Sequence, residues 1–129
     1  MSNEDLYKEI VALIKKEDIK GLETILAQNK SMKELPTLVD EDDNTIFHHL
    51  IKSGNISLMR ASQNYERGFA DSYVIKNKED KTPYQCVADL EDEQFRMIAT
   101  KILGPSWKQA HILNQFILYL QIQNALPNC

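Results

Sequence analysis

The stretch Asp40-Glu-Asp-Asp-Asn-Thr45-Ile-Phe-His48-His-Leu-Ile-Lys-Ser-Gly54-Asn-Ile56 decides the fold of this chain. It opens with Asp and Asn, whose side chains can bond their own backbone and therefore favour turns. The segment Thr45–Lys52 follows as a short helix, and Gly54 can adopt the left-handed conformation that ends a helix. The stretch therefore predicts a turn, a short helix, a break and the start of a second helix.

A similar stretch, Thr82-Pro-Tyr-Gln-Cys-Val-Ala88, lies 37 residues after Thr45 and repeats a Thr, an aromatic residue and two apolar residues in the same order. The same step of 37 residues taken backwards pairs three further apolar residues: Leu50 with Leu13, Ile51 with Ile14 and Ile56 with Ile19. A fixed period of this size is typical of stacked helical repeats.

The two copies resemble the ankyrin repeat, whose turn and first helix run roughly Asp-x-x-Gly-x-Thr-Pro-Leu-His-x-Ala-Ala-x-x-Gly. The positions that fit this pattern are Asp40, Thr45, Phe47, His48 and Gly54 in one copy, and Asn77, Asp80, Thr82, Pro83, Tyr84 and Ala88 in the next. The copies depart from it at Asp43, Ile46, Gln85 and Glu91, and residues 5–28 resemble a diverged first repeat.

The resemblance implies an all-α, ankyrin-like stack of three helical hairpins with a C-terminal capping helix, in a single domain of residues 1–129. The predicted hairpins cover about residues 4–28, 44–67 and 82–103, and the final helix covers about 107–124. Within the second hairpin, the outer helix is predicted over Ile56–Arg67, ending at Gly68. The longest connection is residues 30–44, where Pro36 prevents a regular helix.

Bulk composition agrees with one globular domain. The chain has 43% hydrophobic and 26% charged residues and a formal net charge of −4. A nucleic-acid-binding protein would normally carry a basic field, so the composition argues against that class. The two cysteines, Cys86 and Cys129, have no metal-binding spacing and form no disulfide framework. No signal peptide and no stretch long enough to span a bilayer is visible, so we expect a cytoplasmic protein without a membrane partner.

The resemblance also implies where a partner protein would bind. Ankyrin-like domains contact partners through turn tips and the groove beside the inner helices. The tip positions here are Glu41, Asp42 and Asn44 in one copy and Lys78, Glu79 and Lys81 in the next, and the groove positions are Lys52, Ser53, Asp89 and Leu90. If the acidic tip is functional, it favours a basic patch on the partner. The alternative is that this charge run is only a solvated turn.

The predicted final helix suggests a second function. Apolar residues surround much of it between Ile112 and Ile122, whereas a terminal unit normally turns a polar face outward. The helix either folds back across the preceding repeat or forms an exposed patch for dimerisation or docking, with Trp107 as a candidate anchor. The protein would then be a monomer in the first case and an adaptor or homodimer in the second.

No enzyme motif, cofactor site or metal site is predicted. The sequence has no Gly-rich phosphate loop, no G-x-S-x-G elbow and no H-E-x-x-H pattern. The adjacent residues His48 and His49 point about 100° apart on a helix and cannot readily share one ion. By the resemblance, His48 is structural and exchanges hydrogen bonds with Thr45 and a neighbouring turn, and Gln85 has a similar role. A small hydrolase using His49 or Cys86 is the weakest hypothesis.

The resemblance leaves the source of the protein open. Ankyrin modules occur in eukaryotic regulators and in bacterial effectors injected into host cells. The predicted compartment is therefore the cytoplasm of the producing cell or the cytosol of a host, and the identity of the partner protein does not follow from the fold.

Overall fold

The computed structural model of this protein describes residues 2–65 and 69–103. Over these ranges the regular structure is helical and no strand occurs, which confirms the predicted all-α class for this part of the chain. The α-helices are α1 (Asn3–Lys15), α2 (Ile19–Gln28), α3 (Ile46–Ser53), α4 (Ile56–Ala61), α5 (Pro83–Ala88) and α6 (Glu93–Leu103). Short 3-10 helices lie at Leu35–Thr37, Ser62–Asn64 and Ala70–Val74.

The helices lie in two rows. In the inner row α3 contacts α1 on one side and α5 on the other, and in the outer row α4 contacts α2 and α6. The two rows also contact each other within each helical pair. A shared apolar layer fills the space between the rows; its fully buried members include Ile10, Ile14, Leu22, Leu26, Phe47, Leu50, Ile51, Leu58 and Met59. Because each such side chain contributes roughly 1.5–3 kcal/mol on burial, the helical pairs stabilise one another.

Each outer helix begins at an Asx residue, and these residues recur every 37 positions: Asp18, Asn55 and Asp92. In every case the side-chain oxygen accepts a hydrogen bond from the backbone N–H three residues later, at 2.9, 3.2 and 3.0 Å respectively. Such a cap satisfies an otherwise unpaired N–H at the start of the helix. The caps therefore carry the same period as the apolar residues.

The end of α3 follows its sequence closely. Gly54 has φ +63° and is the C-cap, as predicted, and nothing lies within 4 Å of where its Cβ would be. Glycine is therefore favoured at this position because of its left-handed backbone conformation, and not because a larger side chain would clash with its neighbours.

The connection after α4 is held by an aromatic cluster. The ring centroids of Phe47 and Tyr73 lie 5.3 Å apart, and those of Tyr65 and Phe69 lie 4.9 Å apart. The same region binds the linker that precedes α3, because the Ser72 hydroxyl donates to the Pro36 carbonyl at 2.5 Å. The cluster thus holds two irregular connections against one core.

The helix α4 is shorter than the predicted segment Ile56–Arg67. It ends at Ala61 and continues as one 3-10 turn to Asn64, and residues 66–68 lie outside the described ranges. The Ser62 hydroxyl bonds the Met59 carbonyl at 2.5 Å, and the Asn64 amide bonds the Ala61 carbonyl at 3.0 Å. Side chains that bond nearby carbonyls in this way compete with the α-helical pattern.

The predicted final helix, about residues 107–124, also lies outside the described residues, and so do Trp107 and its apolar stripe. Within the ranges that the structure covers, no helix has the length and apolar character needed to cross a membrane.

Candidate interaction surface

Two turns with the same internal hydrogen bonds precede the inner helices. Turn 1 is residues 40–44 and turn 2 is residues 77–81. In each, the first residue donates its N–H to the carbonyl of the fifth, at 3.1 Å for Asp40 and 3.0 Å for Asn77. Its side-chain Oδ1 then accepts from the N–H groups two and four residues later, at 2.9 and 2.9 Å in turn 1 and 3.0 and 3.1 Å in turn 2. The fourth residue is left-handed in both, with φ 59° at Asp43 and 62° at Asp80.

The inner helices α3 and α5 begin with the same capping box. The Thr45 N–H donates to Nδ1 of His48 at 3.0 Å, and the His48 N–H donates to the Thr45 hydroxyl at 3.2 Å. In α5 the Thr82 N–H donates to the Gln85 side-chain oxygen at 2.8 Å. Gln85 therefore fills the place of the histidine, as predicted.

His48 also joins the first capping box to turn 2. Because Nδ1 accepts a hydrogen bond, the proton of the neutral ring lies on Nε2, which donates to the Lys81 carbonyl at 3.0 Å. These contacts with Thr45 and with the neighbouring turn confirm the predicted structural role of His48. The residue is fully buried, and burial lowers its pKa below the ordinary value.

Further hydrogen bonds tie turn 1 to turn 2 and to α1. The Asn77 amide donates to the side-chain oxygen of Asn44 at 3.0 Å, and the Lys78 N–H donates to the Asp42 carbonyl at 2.9 Å. The Tyr7 hydroxyl donates to the Asn44 carbonyl at 2.5 Å. Hydrogen bonds thus join the two turns to each other and turn 1 to α1.

Asn44 is a correction to the predicted contact set. It is only 6% exposed, since its polar groups bond Tyr7 and Asn77 and its side-chain oxygen also lies 3.4 Å from Nζ of Lys52. A side chain occupied in this way cannot serve as an exposed tip contact. Its role is to hold the turns together from below.

The predicted tip residues carry different charges in the two turns. In turn 1, Glu41 and Asp42 are exposed, as is Asp43 between them and the helix, and none of the three carboxylates forms an ion pair with another described residue. In turn 2, Lys78 is exposed as well and makes no ion pair within the described ranges. Turn 1 therefore exposes carboxylates, and turn 2 exposes a lysine, that form no ion pair with another described residue.

The other charges of turn 2 are paired, two of them with groups at the inner helices and one with a lysine just before the turn. Glu79 lies 3.8 Å from Nζ of Lys52, and Asp80 lies 3.6 Å from Nζ of Lys76. Lys81 contacts the Asp89 carboxylate at 2.5 Å, and this hydrogen bond raises the pKa of the Lys81 ammonium group. The structure thus brings Lys52 together with Glu79, and Lys81 together with Asp89.

The remaining groove positions, Ser53 and Leu90, are less accessible. The Ser53 hydroxyl is half-buried, donates to the Leu50 carbonyl at 2.6 Å and accepts from the Asn55 N–H at 3.2 Å. Leu90 is half-buried and packs against the core. Both residues present only part of their side chains to the groove.

The sequence prediction missed a half-buried pair, Asp40 and His49, at 2.8 Å between Oδ2 and Nε2. The ring of Tyr7 contacts the His49 ring edge-on at a centroid distance of 6.5 Å. Burial lowers the pKa of His49, the Asp40 carboxylate opposes that shift, and the nearby Lys15 and Lys52 add to it. A signal was present, since the positions 37 residues later hold Asn77 and Cys86, so both partners differ together from the next copy.

The chemistry of Cys86 does not favour a nucleophile. Its thiol is buried, and burial raises its pKa above the ordinary value. Thiolate is the reactive form of cysteine, so a raised pKa makes the group inert. Among the described residues, no group of three or more His, Cys, Asp or Glu side chains is placed to hold a metal ion.

No protein-family model, curated protein or solved structure matches this chain.

Proposed function

We propose that this chain is an ankyrin-like repeat protein that binds a partner protein through its turns and inner helices, with no chemistry of its own. The repeat assignment is supported by hydrogen bonds that recur after 37 residues in turn 1 and turn 2. It is supported further by the helix caps of α2, α4 and α6, which follow the same period. A stack of this kind aligns equivalent turns into one extended surface.

The observation that carries the binding proposal is that turn 1 is held by hydrogen bonds while its exposed carboxylates form no ion pair with a described residue. Turn 1 is fixed by bonds to α1 and turn 2, yet Glu41 and Asp42 extend from it without ion pairs in the described part of the chain. A preorganised surface binds with a smaller loss of conformational entropy. The acidic tip therefore favours a partner that presents a basic patch.

The proposed contact residues are those predicted ones that keep exposed polar or charged groups. They are Glu41 and Asp42 on turn 1, Lys78, Glu79 and Lys81 on turn 2, and Lys52 and Asp89 on the inner helices. Ser53 and Leu90 contribute the exposed parts of their side chains to the groove. Asn44 makes no direct contact with the partner and supports the surface by joining turn 1 to α1 and turn 2. We place the protein in the cytoplasm, or in a host cytosol if it is a secreted bacterial effector.

Affinity capture with a charge-reversed turn 1 tests this function. Intact protein and the Glu41→Lys/Asp42→Lys variant are used as baits in the same lysate, and the matched control is Glu9→Lys/Glu23→Lys. The control changes net charge equally at exposed positions of α1 and α2. We expect the turn 1 variant to lose partners that the control retains, with both variants showing the circular dichroism of the intact protein. Equal recovery by both variants would exclude turn 1 as the binding surface.

A further inference from the structure

The 37-residue period aligns three charged residues at the carboxyl ends of the inner helices: Lys15, Lys52 and Asp89. Lys15 is the last residue of α1, Lys52 lies in the last turn of α3, and Asp89 is the C-cap of α5. Because α3 contacts both neighbours, consecutive members of this column are separated by about one helix spacing, roughly 8–10 Å. The column runs positive, positive, negative across the groove.

Only the negative end of this column is closely neutralised. The Asp89 carboxylate contacts Lys81 at 2.5 Å. Lys15 forms no ion pair with another described residue, and Lys52 is held loosely, 3.8 Å from Glu79 and with 42% of its side chain exposed. The groove between α1 and α3 therefore presents positive charge from Lys15 and from Lys52, whose Nζ also lies 3.4 Å from the Asn44 side-chain oxygen.

A pocket of about 330 Å³ lies at this point, lined by Ile14, Lys15, Glu17, His49, Lys52 and Ser53. Both lysines line the pocket together with His49, and their charges contribute to the lowered pKa of that ring. Its one acidic residue, Glu17, accepts a hydrogen bond from the Asn55 amide at 3.1 Å.

We propose that this pocket binds the carboxylate of an Asp or Glu side chain of the partner protein, and that Glu41 and Asp42 contact a basic residue of the same partner segment. This inference rests on the proposed function, since it specifies the charge pattern of the segment that the groove accepts. His49 contributes through Asp40, which orders turn 1, and so connects the pocket with turn 1. The recognised segment therefore contains an acidic residue, which binds in the pocket, and a basic residue, which contacts Glu41 and Asp42.

The two lysines also lie where positive charge complements a helix carboxyl end. That role needs no ligand, and it would not make the protein select peptides with an acidic residue. The test must therefore read out which residues the groove selects, and not only whether the protein is stable.

Selection from a library of random dodecapeptides, with the full chain immobilised, provides this readout. The selecting proteins are wild type, Lys15→Glu/Lys52→Glu and the matched control Lys20→Glu/Lys30→Glu, whose lysines are exposed in or just after α2. We expect wild type and control to enrich Asp or Glu at one peptide position. The reversed variant should enrich Lys or Arg at that position. A thermal melt checks that each variant is folded.

The neutral variants Lys15→Gln and Lys52→Gln keep the test valid if charge reversal prevents folding. Each should weaken the binding of a selected acidic peptide by about 5-fold, which is the scale of one exposed ion pair. Failure of wild type to enrich acidic residues relative to the reversed variant overturns the pocket proposal. If selected peptides then still lose affinity for Glu41→Lys/Asp42→Lys, the proposed function stands, and if they bind every variant equally, both proposals fall.

Discussion

His48 illustrates at the residue scale how one side chain connects two turn-and-helix segments. Its Nδ1 accepts from the Thr45 N–H, and its Nε2 donates to the Lys81 carbonyl 33 residues away. The first bond requires the neutral ring, because protonation of Nδ1 would set its N–H against the N–H of Thr45, whereas Nε2 can donate to Lys81 in either state. A buried histidine with this pattern makes the fold sensitive to acid.

Lowering the pH from 7.5 to 5 should therefore reduce the free energy of unfolding. The pKa values of His48 and His49 are both below 6.5 in the folded chain. The unfolded chain thus takes up these protons first as the pH falls through 6.5, and stability declines until each folded pKa is reached. The slope is limited to about 1.4 kcal/mol per pH unit for each histidine. Urea denaturation at several pH values measures it.

His48→Gln should flatten this pH dependence, since glutamine already fills the equivalent place at Gln85. His49→Ala serves as the comparison, because it leaves the contribution of His48 in place. Work above pH 5 keeps Asp40 ionised, as its pKa lies below 3.8. An unchanged pH profile in His48→Gln would contradict the assigned role of the ring.

Gly21→Ala is expected to destabilise the protein, although alanine is the better helix former. A Cβ at this position would lie 2.6 Å from Oδ2 of Asp18 and 2.8 Å from Cδ2 of Leu13. Displacing the cap and the packed leucine should cost about 1–3 kcal/mol, which exceeds the gain in helix propensity of about 1 kcal/mol. Thermal denaturation measures the change. Ser57→Ala, at an exposed site near the start of α4, should stay near wild type.

At the scale of the elements, the caps explain where the outer helices start. The outer helices are short, from 6 residues in α4 to 11 in α6, so isolated they would be marginal. Each depends on its Asx cap and on burial against a neighbouring pair. The element boundaries are therefore set jointly by local side chains and by packing.

Asp92→Ala should lower the free energy of unfolding by about 1 kcal/mol, the usual cost of removing an N-cap. The side-chain oxygen that now accepts from the Phe95 N–H at 3.0 Å would be lost. Asp92→Asn retains an acceptor and should remain within a few tenths of wild type. Chemical denaturation of the three proteins compares them, and an equal loss in both variants would argue against capping as the cause.

At the scale of the whole molecule, the helical pairs are joined by polar bonds as well as by the core. Tyr7, Asn44 and Asn77 connect α1, turn 1 and turn 2 in one chain of hydrogen bonds. Buried polar groups of this kind are costly to leave unpaired. The helical pairs should therefore respond together when Asn44, the central member of this chain of hydrogen bonds, is removed.

Asn44→Ala should reduce stability by about 1–3 kcal/mol, because the Asn77 amide would lose its buried acceptor. The loss should spread to turn 2, seen as faster amide hydrogen exchange at Lys78, whose N–H bonds the Asp42 carbonyl. Glu41→Ala, an exposed neighbour, is the control and should leave exchange at Lys78 unchanged. A purely local effect in Asn44→Ala would contradict the coupling of the turns.

Much of the fold could be predicted because its signals are local. The apolar stripe of α1, the break at Gly54 and the turn formers of turn 1 and turn 2 all act within a few residues. The length of α4 could not be predicted from its apolar pattern. The competing bonds from Ser62 and Asn64 end it early, and periodicity does not register them.

The candidate surface was predicted less completely. Glu41 and Asp42 were placed correctly on an exposed turn, whereas Asn44 was expected beside them and is buried. The pairing of Asp40 with His49 was not foreseen either, because their distance depends on how turn 1 folds back onto α3. Comparison of the two copies position by position could have found this pair.

The sequence by itself determined the 37-residue period, which comparison of the chain with itself reveals. It also determined the side chains that cap the helices and the side that each helix turns to the core, since these follow from residues within a few positions of one another. Only the tertiary structure decided which polar residues remain free to meet a partner. That outcome depends on hydrogen bonds between residues 33 to 37 positions apart, such as His48 with Lys81 and Tyr7 with Asn44. These bonds bury some polar groups and leave others exposed, and the local sequence pattern does not predict which polar groups are buried.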